Sequence, residues 1–177
     1  VVDPHNTAAV LRTSDALGVG EIHFVDRGVK PMLAKRITRG CERWLDLYVH
    51  HDSAACARGL KNQGYALYVA DARATTTLEE VAACARVALA FGNEHEGVSA
   101  ELRAEATGAF AVPMRGMVES FNVSVAAGIA LYTVTRNRPG DLGEDEVRAL
   151  RARFLLESVR SPNLVIERYL REHDVSV

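Results

Sequence analysis

Val87-Ala88-Leu89-Ala90-Phe91-Gly92-Asn93-Glu94-His95-Glu96-Gly97 is the stretch whose reading decides the fold. Its first five residues are a continuous apolar run. A strand without polar alternation belongs where both faces of a sheet are covered, so the run predicts a parallel strand buried on both sides. It ends at a glycine, and a polar loop closed by a second glycine follows. In open α/β sheets, ligands bind beyond the carboxyl ends of the strands. The position of this loop alone makes it a candidate site.

Working outward, strand and helix signals alternate. Upstream, Tyr65–Ala70 is an apolar strand, and Thr77-Leu78-Glu79-Glu80 has the capping-box pattern that opens a short helix. Ser53–Asn62 is a helix closed by Gly64. Leu45–His50 and Glu21–Asp26 are shorter strands, separated by a basic, loosely helical stretch, Lys30–Trp44. Asn6–Leu17 is a helix stopped by Gly18. Downstream, Ser99–Ala106 is helical, Ala109–Val112 is a strand and Ser124–Arg136 is an alanine-rich helix. Asp141-Leu142-Gly143-Glu144 offers a second capping box for a helix over Glu144–Val159. Pro162 breaks that helix, and Asn163–Glu172 is the last helical piece. Strands alternating with helices predict an α/β fold, a mainly parallel sheet with helices on both faces. The expected organisation is one domain over residues 1–140 and a C-terminal helical extension over 141–177.

Composition agrees with an ordinary globular chain. Of 177 residues, 48% are hydrophobic and 25% charged, which excludes disordered and fibrous classes. No apolar run approaches the roughly 20 residues that span a bilayer. The start at Val1-Val2-Asp3-Pro4 has no initiator Met and no signal-peptide pattern, so a trimmed N-terminus is expected. The three cysteines, Cys41, Cys56 and Cys84, are odd in number and far apart. They make neither a disulfide framework nor a CxxC pair, and reduced thiols in the cytoplasm are expected.

A net charge of −2 is a poor start for a nucleic-acid binder, because phosphates call for clustered cations. The distribution is less neutral. Arg27, Lys30, Lys35, Arg36, Arg39 and Arg43 face one acid, Glu42. Arg136, Arg138, Arg148, Arg151 and Arg153 form a second set interleaved with acids. Two solvated helix faces would give the same pattern.

Two glycine motifs fail on context. Gly18-Val19-Gly20 follows a helix and precedes a strand, the reverse of a dinucleotide-binding turn. Gly92–Ser99 has P-loop glycine spacing, but Val98 stands where the phosphate-binding lysine must be. Glu94-His95-Glu96 is a poor metal set, since consecutive loop residues rarely reach one ion, and no metal site is expected. Three polar clusters remain. His5-Asn6 with Arg12 sits on the first helix, with Asn6 a candidate N-cap. Gly92–Gly97 follows the apolar strand. Val112-Pro113-Met114-Arg115-Gly116-Met117-Val118-Glu119-Ser120-Phe121-Asn122-Val123-Ser124 joins a strand end to the alanine-rich helix. Ser120, Asn122 and Ser124 are all good caps, and the small residues behind them predict a deeply packed helix.

These clusters, in this order, resemble the three motifs of the SpoU/TrmH methyltransferases of the SPOUT superfamily. Asn6–Gly18 resembles motif one, Ala90–Ser99 motif two and Val112–Ala126 motif three. The basic segment leading to Arg43-Trp44-Leu45, and Ser161–Arg168, resemble the tRNA-modifying TrmH branch in particular. Phe121 departs from the leucine that many relatives carry. The resemblance implies a C-terminal deep trefoil knot, a homodimer, and S-adenosyl-L-methionine as methyl donor. It implies transfer to a ribose 2′-hydroxyl of RNA, with a D-loop guanosine of tRNA as the expected target. Ribosomal RNA, or a non-catalytic RNA-binding role on the same fold, are the alternatives. Carried over residue by residue, the catalytic positions are Asn6, Arg12, Glu94, Ser120 and Asn122. The cofactor positions are Ala70, Gly92, Gly97, Val112, Met114 and Phe121. Arg136 resembles an arginine that holds RNA phosphate, beside Lys35, Arg36 and Arg39 of the basic segment. Arg12 is either the base or the group that orients the hydroxyl.

Overall fold

The computed structural model describes residues 4–25, 43–93 and 96–173. It divides into two units, Val1–Arg138 and Pro139–Val177. In the first unit, α1 (Pro4–Ala16) leads to β1 (Glu21–Val25), β2 (Asp46–His50), α2 (Ser53–Asn62) and β3 (Ala66–Ala70). Then come α3 (Leu78–Ala82), β4 (Val87–Ala90), α4 (Ala100–Glu105), β5 (Gly108–Phe110) and α5 (Val123–Thr135).

Every strand pair among the described residues is parallel, as the alternation predicts. The strands form two sheets rather than one: β1 beside β2, and a three-stranded sheet in the order β4-β3-β5. β3 is therefore the central strand. Its residues alternate between half-buried and fully buried, and both faces are apolar. On one face Tyr68 and Ala70 pack with Leu89, Phe91 and Phe110 under Leu78 and Val81 of α3 and Ala130 and Val134 of α5. On the other, Leu67 packs with Ala88 and Ala90 under Cys56, Ala57 and Leu60 of α2 and Leu102 of α4. Helices thus cover both faces, with α3 and α5 on one and α2 and α4 on the other.

The apolar run Val87–Phe91 is an edge strand, half-buried along its length, and not the doubly buried strand expected. Its pattern looked central because small and large residues alternate: Val87, Leu89 and Phe91 fill one core, Ala88 and Ala90 the other. The position of true centrality belongs to Tyr65–Ala70.

Local signals explain most boundaries. Thr77 accepts from the Glu80 amide at 3.2 Å and the Glu80 carboxylate accepts from the Thr77 amide at 2.7 Å, a complete capping box. Asp52, one residue before the expected helix start, caps α2 through the Ala54 and Ala55 amides. Gly64 takes a φ of +86° where the chain turns from α2 into β3. α1 begins at Pro4, so Asn6 occupies its first turn and not the cap. Leu11 of α1 packs with Leu45, Ile22, Phe24 and Leu47 on one face of the β1–β2 sheet.

The second unit holds α6 (Glu144–Ser158) and α7 (Pro162–Glu172). Its N-cap lies two residues later than expected, with only the acidic half of a capping box. Gly143 is the cap, and its amide donates to the Glu146 carboxylate at 2.8 Å. Pro162 begins α7 rather than merely ending α6, the position where its missing N–H costs nothing. Neither helix has a buried residue, and Leu155, Leu164, Val165 and Tyr169 are exposed.

Phe110 is the largest fully buried side chain, at 0% exposure, on a three-residue strand. Phe110→Ala should destabilise the first unit by about 3–5 kcal/mol. Phe91→Ala, at the half-buried end of the edge strand, should cost less. Urea unfolding of both variants checks the order.

Candidate active site

Three neighbouring parallel strands release their chains at one edge of the sheet. β3 ends at Ala70, β4 runs into Phe91 and Gly92, and β5 runs into Ala111 and Val112. Register confirms the alignment, since Ala70 pairs with Phe110 and Val69 with Ala90. Ala70, Gly92 and Val112, expected to share a site, therefore lie at the same end of adjacent strands.

The loop after β4 is tightly closed. Asn93 and Gly97 exchange two backbone hydrogen bonds, at 3.2 and 3.1 Å. The Asn93 side chain accepts from the Glu96 amide at 2.6 Å. Gly97 sits at φ +67°, a conformation side chains resist. A Cβ on Gly92 would lie 1.9 Å from the Gly97 carbonyl carbon. The two glycines thus have separate reasons: Gly92 makes room, Gly97 makes the turn. Glu94 lies outside the described residues.

The third cluster meets the first. Asn122 is the N-cap of α5, and its Oδ1 accepts from the Ser124 amide at 2.9 Å and the Ser124 hydroxyl at 2.6 Å. Its Nδ2 donates to Asn6 Oδ1 at 3.0 Å. One amide therefore caps a helix with one end and crosses to α1 with the other. Of the three capping candidates, Asn122 is the cap; Ser124 supports it and Ser120 is exposed two residues earlier. α1 and α5 also pack on one another, and a Cβ on Gly128 would meet Thr13 at 3.8 Å, ordinary contact. Arg12 is exposed on α1, less than two turns beyond Asn6.

Val112 and Met114 are half-buried, while Phe121 beside the cap is exposed. Arg136 forms the C-cap of α5 and stands 4.0 Å from Glu79, a contact between exposed groups. Such a pair yields readily to a phosphate. Lys35, Arg36 and Arg39 lie outside the described residues.

Asp71, directly after Ala70, was not singled out in the sequence. It accepts from the Arg73 amide at 2.9 Å and from Arg103 at 2.7 Å. The Arg73 amide first, and the arginines with it, hold its carboxyl below the usual range. Asp71 fixes the exit of β3, a role that only the Asp-x-Arg turn hinted at.

The fold is a parallel α/β architecture in which a glycine loop, a capped turn and three strand ends lie at one end of the sheet, the place where open α/β sheets bind ligands. The chain belongs to the SpoU rRNA Methylase family, whose profile matches residues 1–132. It is 40% identical over 136 residues to a tRNA (guanosine(18)-2'-O)-methyltransferase from Thermus thermophilus, covering 76% of this chain and 70% of the relative. The crystal structure of the A. aeolicus TrmH/SpoU tRNA modifying enzyme superposes with a TM-score of 0.75 at 29% identity, covering 90% of this chain and 86% of that one. An AdoMet-bound rRNA methyltransferase from Sinorhizobium meliloti gives 0.69 at 25% identity, covering 78% and 54%.

Gly92→Ala should force the loop open and cost about 1–3 kcal/mol, because the obstacle is backbone. Gly116→Ala, with nothing within 4 Å of its Cβ, should change stability by less than about 0.5 kcal/mol. Thermal unfolding of the pair checks the contrast.

Proposed function

We propose that this chain is an S-adenosyl-L-methionine-dependent RNA ribose 2′-O-methyltransferase whose target is a D-loop guanosine of tRNA. The observation that carries it is the 3.0 Å bond from Asn122 to Asn6. It joins motif one, which bears Arg12, to motif three, which lies beside the strand ends. The Thermus thermophilus relative supports tRNA and the guanosine. The AdoMet-bound neighbour supports the cofactor.

The residues present suit that cofactor. The strand-end wall of Ala70, Phe91 and Val112 is apolar and uncharged, and backbone groups of the glycine loop supply polar contacts close by. No cation of the wall would repel a sulfonium. S-adenosyl-L-methionine brings an activated methyl, so the protein's task is orientation and handling of one proton. Gly92, Gly97, Val112, Met114 and Phe121 hold the cofactor. Arg12 orients the ribose hydroxyl and spreads the charge that develops on its oxygen. A guanidinium suits that role better than a base's, since such a group gives up a proton only with great difficulty while its planar fork matches oxyanions. Glu94 holds Arg12 by an ion pair, Asn6 and Asn122 lock its helix to the motif-three turn, and Ser120 shapes that turn.

We further propose the deep trefoil knot of the family and a homodimer in which Arg12 of one subunit serves the other's cofactor site. Val125, Ile129 and Tyr132 form an exposed apolar stripe along α5, which supports a partner surface there. The cytoplasm is the expected location.

Arg12→Ala should abolish methyl transfer to bulk tRNA while S-adenosyl-L-methionine affinity, measured by calorimetry, stays within a few-fold. Affinity that falls as far as the rate would refute the assignment. Arg12→Lys should also be poor, because a point charge lacks the fork. Mixed with Gly92→Ala chains, Arg12→Ala chains should recover part of the activity in shared dimers.

RNA affinity on a chain of net charge −2 must come from a local basic surface. Neutralising Lys35, Arg36 and Arg39 together should weaken tRNA binding and flatten its salt dependence by roughly two units of slope. An unchanged slope would move the RNA surface to Arg136.

A further inference from the structure

Three donor atoms from three elements converge on the face of the β1–β2 sheet opposite α1. His23 lies in β1, His50 closes β2, and Cys56 lies on α2. Parallel register pairs His23 with Tyr48 and Val25 with His50, so both imidazoles stand on one face of the sheet. Ile22, Phe24 and Leu47 occupy the other face, against Leu11. α2 packs over the sheet and delivers Cys56, which is 6% exposed. One ring nitrogen from each histidine and the Cys56 Sγ lie within 4.8 Å of one another.

The details are those of ligands. His23 Nδ1 and His50 Nε2 are 2.9 Å apart. Four-coordinate zinc has bonds of about 2.0–2.3 Å to nitrogen and sulfur, which sets donors roughly 3.3–3.7 Å apart. Small shifts therefore turn the present cluster into a coordination shell. Tyr48 stacks on His23 with ring centroids 4.8 Å apart, which fixes the imidazole plane. The other nitrogen, His23 Nε2, is buried and has no hydrogen-bond partner among the described residues. The Glu21 carboxylate stands 3.7 Å from it, too far for a hydrogen bond. When Nδ1 ligates a metal, Nε2 must carry the proton. Closing that 3.7 Å gap then gives the carboxylate–histidine pairing that orients metal ligands.

We propose that His23, His50 and Cys56 form a zinc(II) site, with water in the fourth position and Glu21 supporting His23. Binding breaks the imidazole–imidazole hydrogen bond and releases the Cys56 proton to solvent. No electron is transferred. The ion would tie β1, β2 and α2 together at both ends of the connection that carries Lys35, Arg36 and Arg39. The expectation of no metal rested on adjacent loop residues and on the lack of a partner His/Cys set in sequence, whereas these histidines are 27 residues apart.

The test uses the full chain without a histidine tag, reduced and stripped of metal, with cobalt(II) as the visible probe. One equivalent should produce a thiolate-to-cobalt charge-transfer band and the intense d–d bands of a tetrahedral ion, and zinc(II) should displace it. Cys56→Ser should remove the charge-transfer band. His23→Gln and His50→Gln should each weaken cobalt binding at least tenfold, and Glu21→Gln about tenfold. Cys41→Ser and Cys84→Ser should leave the spectrum unchanged. Absence of the band in the unmodified chain, or its survival in Cys56→Ser, would overturn the site. If Cys56→Ser does not fold, alkylation decides: zinc(II) must slow modification of Cys56 at least tenfold in the unmodified chain and not in His50→Gln. Equal rates with and without zinc would also overturn it. None of these readouts depends on methyl transfer, so failure here leaves the proposed activity standing.

Discussion

The two-sided burial of β3 is the constraint from which the rest follows. A strand hydrogen-bonded on both edges and apolar on both faces needs a parallel neighbour on each side and a helix layer above and below. β4 and β5 supply the edges, α3 with α5 and α2 with α4 the layers. Because all three strands run the same way, their carboxyl ends emerge together, and the loops that leave them share one rim. The site is thus a by-product of how the central strand is satisfied.

A rim alone would bind a ligand without acting on it. In the function proposed above, the chemistry depends on the link from α1 to the turn before α5. Asn122 satisfies a helix end and reaches Asn6 with the same amide. α1 is in turn held by Leu11 against the β1–β2 sheet. The helix bearing Arg12 is therefore tied to both sheets, although Arg12 itself is exposed.

Much of this was legible in the chain. The five strands among the described residues, and most helices, follow from apolar runs, capping residues and glycine stops, because those signals are local. The edge position of Val87–Phe91 was not legible, since alternation of alanine with larger residues imitates a doubly buried strand. The cap of α6 lies two residues later than Asp141 and Glu144 suggested, because Glu146 reaches back to the Gly143 amide. Asn122 could be named as one of three caps, but only the fold shows that its amide crosses to Asn6. The histidine–cysteine cluster left no trace in sequence, because its members are brought together by strand register and helix placement.

The strand order β4-β3-β5 also bears on how the chain assembles. β3 and β4 are close in sequence and can pair through a short helix as soon as both leave the ribosome. β5 must pass over to the far edge of β3, where the Leu67 amide waits for a threonine 40 residues away. Until then that edge of β3 is an open row of backbone donors and acceptors flanked by apolar side chains. Closure of non-local parallel pairs is slow. Between the emergence of β4 and the docking of Phe110 the nascent chain therefore carries an unpaired apolar strand edge, the kind of template on which chains aggregate.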